Sequence, residues 1–158
     1  MKDTTGRGDL TEMEISTALM RAGRRVLRPI SSGLRYDLLI ENADGTFWRV
    51  QCKTGVLKDG VIVFRVRNTD GRRPNGVSYR GQVDCFGVFC PQNDRAYLVP
   101  MTALTTSDST ARLRLRPTRN GQGRGIRLAE DFEILRVRPA LLELPPDLPT
   151  ASAAAPSR

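Results

Sequence analysis

Phe47-Trp48-Arg49-Val50-Gln51-Cys52-Lys53 reads as one strand with two unlike faces. Side chains alternate along a strand, so every second residue shares a face. Trp48, Val50 and Cys52 form an apolar face suited to a core. Arg49, Gln51 and Lys53 line the other face with three polar groups in a row. Upstream, Tyr36-Asp37-Leu38-Leu39-Ile40 begins a second apolar run just after an aspartate. Between the runs, Ala43-Asp44-Gly45-Thr46 carries the Asp-Gly signal of a hairpin. Strands over 36–42 and 46–54 therefore pair antiparallel. Asp37 then comes toward the end of the sheet that Gln51 and Lys53 also approach. An aspartate beside a strand start, followed by a polar-x-Lys strand, is a candidate metal-and-lysine site.

The chain has 158 residues, about one domain and enough for a core without covalent staples. A net charge of +8 and an isoelectric point near 10.2 favour a polyanionic partner. No apolar run approaches the roughly 20 residues of a membrane span. The first residues, Met1-Lys2-Asp3-Thr4-Thr5-Gly6, hold no apolar stretch of the secretory type. Nucleic acid is the better-matched partner, and no membrane association is expected. Cys52, Cys85 and Cys90 form no CxxC pair. Their low, odd number fits small core residues in a reducing cytoplasm.

Zero histidines is the most restrictive count. It excludes Ser-His-Asp triads, HExxH zinc sites and histidine-metal nucleases. Any catalysis must use carboxylates, amides, Lys, Tyr, Ser/Thr or Cys, and hydrolysis of a phosphodiester without histidine points to metal-bound water, with hard cations held by oxygen ligands.

Around the central hairpin, Asp9 or Thr11 is placed to cap a helix running to about Ala22 and stopped by Gly23. Thr11-x-x-Glu14 matches a capping box. Glu12, Ile15, Leu19 and Ala22 share one stripe of this helix, so Glu12 looks inward. A carboxylate there is paired, bound to metal, or simply a first-turn residue favoured by the helix dipole. Short strands follow at 24–30, 61–66, 85–90 and 95–99. Residues 67–82 read as a long polar loop, and a short helix is expected within 101–110. Residues 111–127 hold six arginines and no acid. The alternation Arg112-Leu113-Arg114-Leu115-Arg116 predicts a strand with one basic face. A short helix or turn is expected over 128–134. The ordered domain spans 1–138, with basic segments at 65–82 and 111–127. Its Pro-, Ala- and Ser-rich continuation, 139–158, has the composition of a disordered tail.

Glu12, Asp37 and Gln51 supply oxygen donors suited to Mg²⁺ or Mn²⁺, and the backbone carbonyl of Cys52 completes the set. Lys53 is placed to orient the attacking hydroxide or to stabilise charge developing on the phosphate. Arg67, Arg72, Arg73, Arg80, Arg112, Arg114, Arg116, Arg119 and Arg124 are the candidate DNA contacts.

Three of these stretches together resemble a known family: Gly8-Asp9-Leu10-Thr11-Glu12, Tyr36-Asp37-Leu38 and Val50-Gln51-Cys52-Lys53-Thr54. They are similar to the PD-(D/E)XK nuclease superfamily, and more closely to its group I intron-associated homing endonucleases. The likeness continues through Tyr79-Arg80-Gly81-Gln82-Val83-Asp84-Cys85-Phe86, Tyr97-Leu98-Val99-Pro100 and Ala129-Glu130-Asp131-Phe132, covering about residues 6–134. The resemblance implies an α/β fold with a restriction-endonuclease-like core, a mixed β-sheet with flanking helices. It implies that Asp37 is the central metal ligand, Glu12 the helix carboxylate and Lys53 the catalytic lysine. Gln51 stands where the superfamily has an acid, and the intron-associated branch is similar in using Gln there. The amide removes one negative charge and weakens metal binding. The implied activity is that of a Mg²⁺-dependent DNA endonuclease, sequence-specific in its homing version. The partner is double-stranded DNA, and a dimer or tetramer is expected because a duplex has two strands to cut. Two alternatives share the fold: a Holliday-junction-type resolvase, and a non-catalytic nucleic-acid-binding module.

Overall fold

A computed structural model describes residues 4–68, 76–119, 121, 123 and 125–134. Arg72, Arg73 and Arg124, and the segment 139–158, lie outside the described residues. In chain order, helix α1 (Thr4–Arg21) precedes strands β1 (Arg25–Leu27), β2 (Leu38–Glu41), β3 (Phe47–Thr54), β4 (Val56–Lys58) and β5 (Val61–Arg65). Then come β6 (Arg67–Asn68), β7 (Val77–Ser78), β8 (Cys85–Cys90), β9 (Arg95–Pro100) and β10 (Thr110–Arg114). Short 3-10 turns span Met101–Ala103 and Ala129–Asp131, where short helical segments were expected.

Five strands form one sheet in the order β1-β2-β3-β8-β9. All neighbours are antiparallel except β3 and β8, so the sheet is mixed. The Asp44-Gly45 hairpin sets its centre, pairing Leu38 with Val50 and Ile40 with Trp48. Asp44 Oδ1 accepts from the Thr46 N–H and hydroxyl, which pins the turn.

Burial along β3 alternates as its sequence predicts. Trp48, Val50 and Cys52 are buried with Ile15 and Leu19 of α1, whereas Arg49, Gln51 and Lys53 are half-buried on the other face. β8 shows no alternation because both of its faces are covered. Cys85 and Phe89 join the cluster under α1. Phe86, Val88 and Cys90 join a second cluster with Ile62, Phe64, Ala111 and Leu113. These last four belong to a separate sheet in the order β10-β5-β4. One expectation changes here. Among the described residues there is a single α-helix, and the second face of the main sheet is covered by strands rather than by another helix. The cause is local: residues 61–65 and 110–114 alternate with a period of two, which suits a sheet packed on a sheet.

Two glycines permit close approach between these layers. A Cβ on Gly87 would lie 2.8 Å from Ile15 Cγ2, so α1 rests directly on β8. A Cβ on Gly55 would lie 2.7 Å from Ile62 Cγ2 and 3.0 Å from Val88 Cγ1. The chain passes from β3 into β4 at that point, crossing between sheets where no side chain fits.

Local signals were overridden in five places. Helix α1 starts at Thr4 and not at a cap on Asp9 or Thr11. Thr11 is buried, and its hydroxyl hydrogen-bonds the Thr54 hydroxyl of β3 at 2.7 Å instead of capping. The inward stripe therefore runs through Thr11, Ile15 and Leu19. Glu12 sits at its edge, and Ala22 is exposed beyond the helix end. There Gly23 N–H bonds Met20 O and Arg24 N–H bonds Leu19 O, the glycine stop the sequence signalled. The expected strand 24–30 is only three residues long. The ends of the expected loop 67–82 pair as a two-stranded ribbon, Arg67 with Ser78. β10 presents Arg112 and Arg114 outward as the alternation predicts but ends before Leu115, whose N–H turns to Gly60 O.

Candidate active site

The register of the hairpin decides which polar groups meet. Leu38 faces Val50, so one step outward Asp37 faces Gln51, on the face that also carries Lys53. Asp37 lies just before β2, and its N–H still bonds Val50 O at 2.8 Å. Its Oδ2 accepts from Gln51 Nε2 at 2.5 Å and from the Cys52 N–H at 2.7 Å. Gln51 Nε2 also lies 3.4 Å from the Cys52 carbonyl oxygen. The structure thus brings together Asp37, Gln51 and the Cys52 backbone, three of the groups singled out in the sequence.

Glu12 reaches the same end of the sheet from α1. Its Oε2 accepts from Arg28 at 2.6 Å. Burial holds the Glu12 carboxyl above its ordinary range, the charge of Asp37 adds to this, and Arg28 opposes it. Burial also raises Asp37. The Cys52 N–H opposes this most, followed by Lys53, Gln51 and Arg28. Two half-buried carboxylates thus influence one another while Arg28 bears on both.

This donor set fits a hard divalent cation. Carboxylate oxygens of Glu12 and Asp37, the Cys52 carbonyl and the Gln51 amide oxygen are the ligand types that Mg²⁺ and Mn²⁺ take. A half-turn of the Gln51 amide would present Oε1 where Nε2 now stands. Among the described residues, no group of three or more His, Cys, Asp or Glu converges for a metal. Two acids, an amide and a carbonyl are therefore the available ligands. The thiols do not compete: burial pushes Cys52 and Cys85 far above their ordinary range, so both stay protonated.

Lys53 does not touch Asp37 directly. Its Nζ donates to Tyr79 Oη at 3.1 Å and lies 4.9 Å from the centroid of that ring. Arg49, the third member of the polar face, is held by Asp84, whose carboxylate accepts from both the Arg49 backbone and the guanidinium. Arg28, Tyr79 and Asp84 had no role in the sequence reading. Tyr79 and Asp84 lie in one of the stretches that carried the resemblance, which was the available signal; Arg28 had none.

The arginines divide by what they touch. Arg67 donates to Asp108 O and Thr106 O, and Arg80 donates to Leu104 O. Both tie the 67–82 segment to the chain after β9. Arg112, Arg114, Arg116 and Arg119 are exposed.

A mixed sheet with a central Asp-Gly hairpin, one helix on its face and Asp37 bonded to Gln51 and the Cys52 N–H at its end is the setting of the candidate site. Residues 2–135 match the family model for the PD-(D/E)XK endonuclease, and the chain belongs to that family. In fold it is similar to the bacterial homing endonuclease I-Ssp6803I, with a TM-score of 0.64 and 24% identity over 90% of this chain and 99% of that one. The Holliday junction resolvase Hjc of Archaeoglobus fulgidus aligns with a TM-score of 0.41 and 13% identity over 68% of this chain and 84% of that one. No curated protein sequence matches. Among the described residues, no helix is long and apolar enough to cross a membrane.

Proposed function

We propose that this nuclease is a Mg²⁺- or Mn²⁺-dependent DNA endonuclease of the homing type, sequence-specific and active as a dimer or tetramer. The observation that carries this is the convergence on Asp37 Oδ2 of the Gln51 side chain and the Cys52 N–H, with Glu12 near enough for its acidity to feel Asp37. Glu12, Asp37, the Gln51 amide oxygen and the Cys52 carbonyl would hold the cation. When bound, such a cation acidifies a water and neutralises phosphate charge. Lys53, on the same strand face, stabilises charge on the attacked phosphate. Arg112, Arg114, Arg116 and Arg119 grip the DNA backbone. The three free cysteines suit a reducing cytoplasm.

Gln51 favours a second reading, a nucleic-acid-binding module that keeps the fold without the chemistry. An amide in the acidic slot lowers the charge available to a cation. Cleavage of a randomised duplex library with Mg²⁺ or Mn²⁺, followed by sequencing of product ends, separates the two. The nuclease gives discrete ends that disappear in Asp37→Asn and form far more slowly in Lys53→Ala. Equal DNA binding with no cutting by any of the three proteins would leave the binding module.

A further inference from the structure

Tyr79 follows a polar segment, yet it is only 4% exposed. Its ring meets Phe86 edge-on, with centroids 5.6 Å apart. The adjoining backbone folds back on it, since the N–H groups of Gln82 and Val83 both donate to Tyr79 O. Arg35 lies over the ring at 4.2 Å and is itself held by Gln82 Oε1 and Ser78 O. The ring is thus fixed from several sides before Lys53 reaches it. A buried phenol needs a polar partner for its hydroxyl. Here the partner is the ammonium of Lys53, which donates to Oη at 3.1 Å and lies 4.9 Å from the ring centroid, beyond the ring edge. A lysine stem is flexible and its head strongly hydrated. Left alone on a half-buried strand face, Lys53 would sample many rotamers.

We propose that Tyr79 is the positioning residue for Lys53, holding its ammonium on the Gln51 face through the hydroxyl of a fixed ring; this rests on the role given to Lys53 in the proposed nuclease. Arg35 acts behind it by keeping the ring in place.

The chain has three lysines, Lys2, Lys53 and Lys58, so ¹³C reductive methylation yields a short, assignable spectrum. Methylation keeps the charge and leaves an N–H. The Lys53 methyl signal, assigned with Lys53→Arg, is expected to stand apart from the other two in wild type, because its N–H is bonded to Oη, and to move toward them in Tyr79→Phe. It should rejoin them in Tyr79→Leu. Overlap of all three lysines in wild type would overturn the contact. The second arm is single-turnover cleavage of a site recovered from the library. Loss of a hydrogen bond to a charged group predicts about a tenfold slower rate for Tyr79→Phe, with DNA affinity unchanged. In a Lys53→Ala background the same change should have no further effect. Equal losses in both backgrounds would show that Tyr79 serves only the core, and would sink the positioning role. Tyr79→Phe preserves the packing, so it guards against a Tyr79→Leu protein that fails to fold. A wild type that cuts nothing overturns the nuclease and with it the role of Lys53, while the spectrum still decides whether Tyr79 holds the ammonium.

Discussion

Asp37 Oδ2 accepts two hydrogen bonds at once, one from the Gln51 amide at 2.5 Å and one from the Cys52 backbone N–H at 2.7 Å. The carboxylate is nevertheless harder to ionise than usual because it is partly buried. Asparagine at this position keeps an acceptor for Cys52 and, with Gln51 rotated, a bond to its amide.

Asp37→Asn should therefore abolish cutting while stabilising the metal-free protein. Asp37 and Glu12 both hold their protons more firmly folded than unfolded. Folding then takes up protons, so stability falls as pH rises from the unfolded carboxylate value of about 4. Below that value the effect vanishes. Thermal melts in EDTA should show the gap between Asp37→Asn and wild type opening as pH rises. Mn²⁺ should reverse it by stabilising wild type alone.

Gln51→Glu places an acid beside Asp37, two residues before Lys53. One more unit charge beside Asp37 should tighten Mn²⁺ binding by about tenfold. The same change should lower the melting temperature in EDTA, because the new carboxylate faces Asp37. Calorimetric titration and melts check both directions. Weaker Mn²⁺ binding would remove Gln51 from the ligand set.

Arg28 now neutralises Glu12, and a cation must compete with it. Arg28→Gln should tighten Mn²⁺ binding measurably. It should lower metal-free stability by no more than about 1 kcal/mol, as the pair is solvent-facing. If titration finds Mn²⁺ binding unchanged, Glu12 is not a ligand.

The two kinds of arginine should respond differently. Arg112→Ala and Arg114→Ala should each weaken DNA binding across sequences and reduce the salt slope by about 1, with melting unchanged. Arg80→Ala should instead lower the melting temperature, because its guanidinium bonds Leu104 O.

Gly87→Ala tests the close seat of α1. The added methyl meets Ile15 Cγ2 at 2.8 Å. Overpacking of this kind costs roughly 1–3 kcal/mol. Denaturant titration measures it, and an unchanged midpoint would mean that α1 can lift from β8 freely.

Much was written locally in the chain. Period-two alternation marked the faces of β3 and β10, Asp44-Gly45 set the hairpin register, and Gly23 ended α1. Register alone placed Asp37 opposite Gln51, because antiparallel partners share a face. The capping signal at Thr11 misled for a non-local reason: Thr11 packs on Thr54, 43 positions away. Arg28 on Glu12, and the pairing of β5 with β10, likewise join segments whose own patterns name no partner.

For this protein, then, the sequence by itself determined the strand faces, the central hairpin and the approach of Asp37 to the end of the sheet that carries Gln51, since each follows from spacing within one short stretch. Only the tertiary structure decided that a second sheet covers β8, that Arg28 neutralises Glu12 and that Tyr79 holds Lys53. Those contacts depend on how layers stack, and stacking is set by the fit of whole surfaces rather than by any local period.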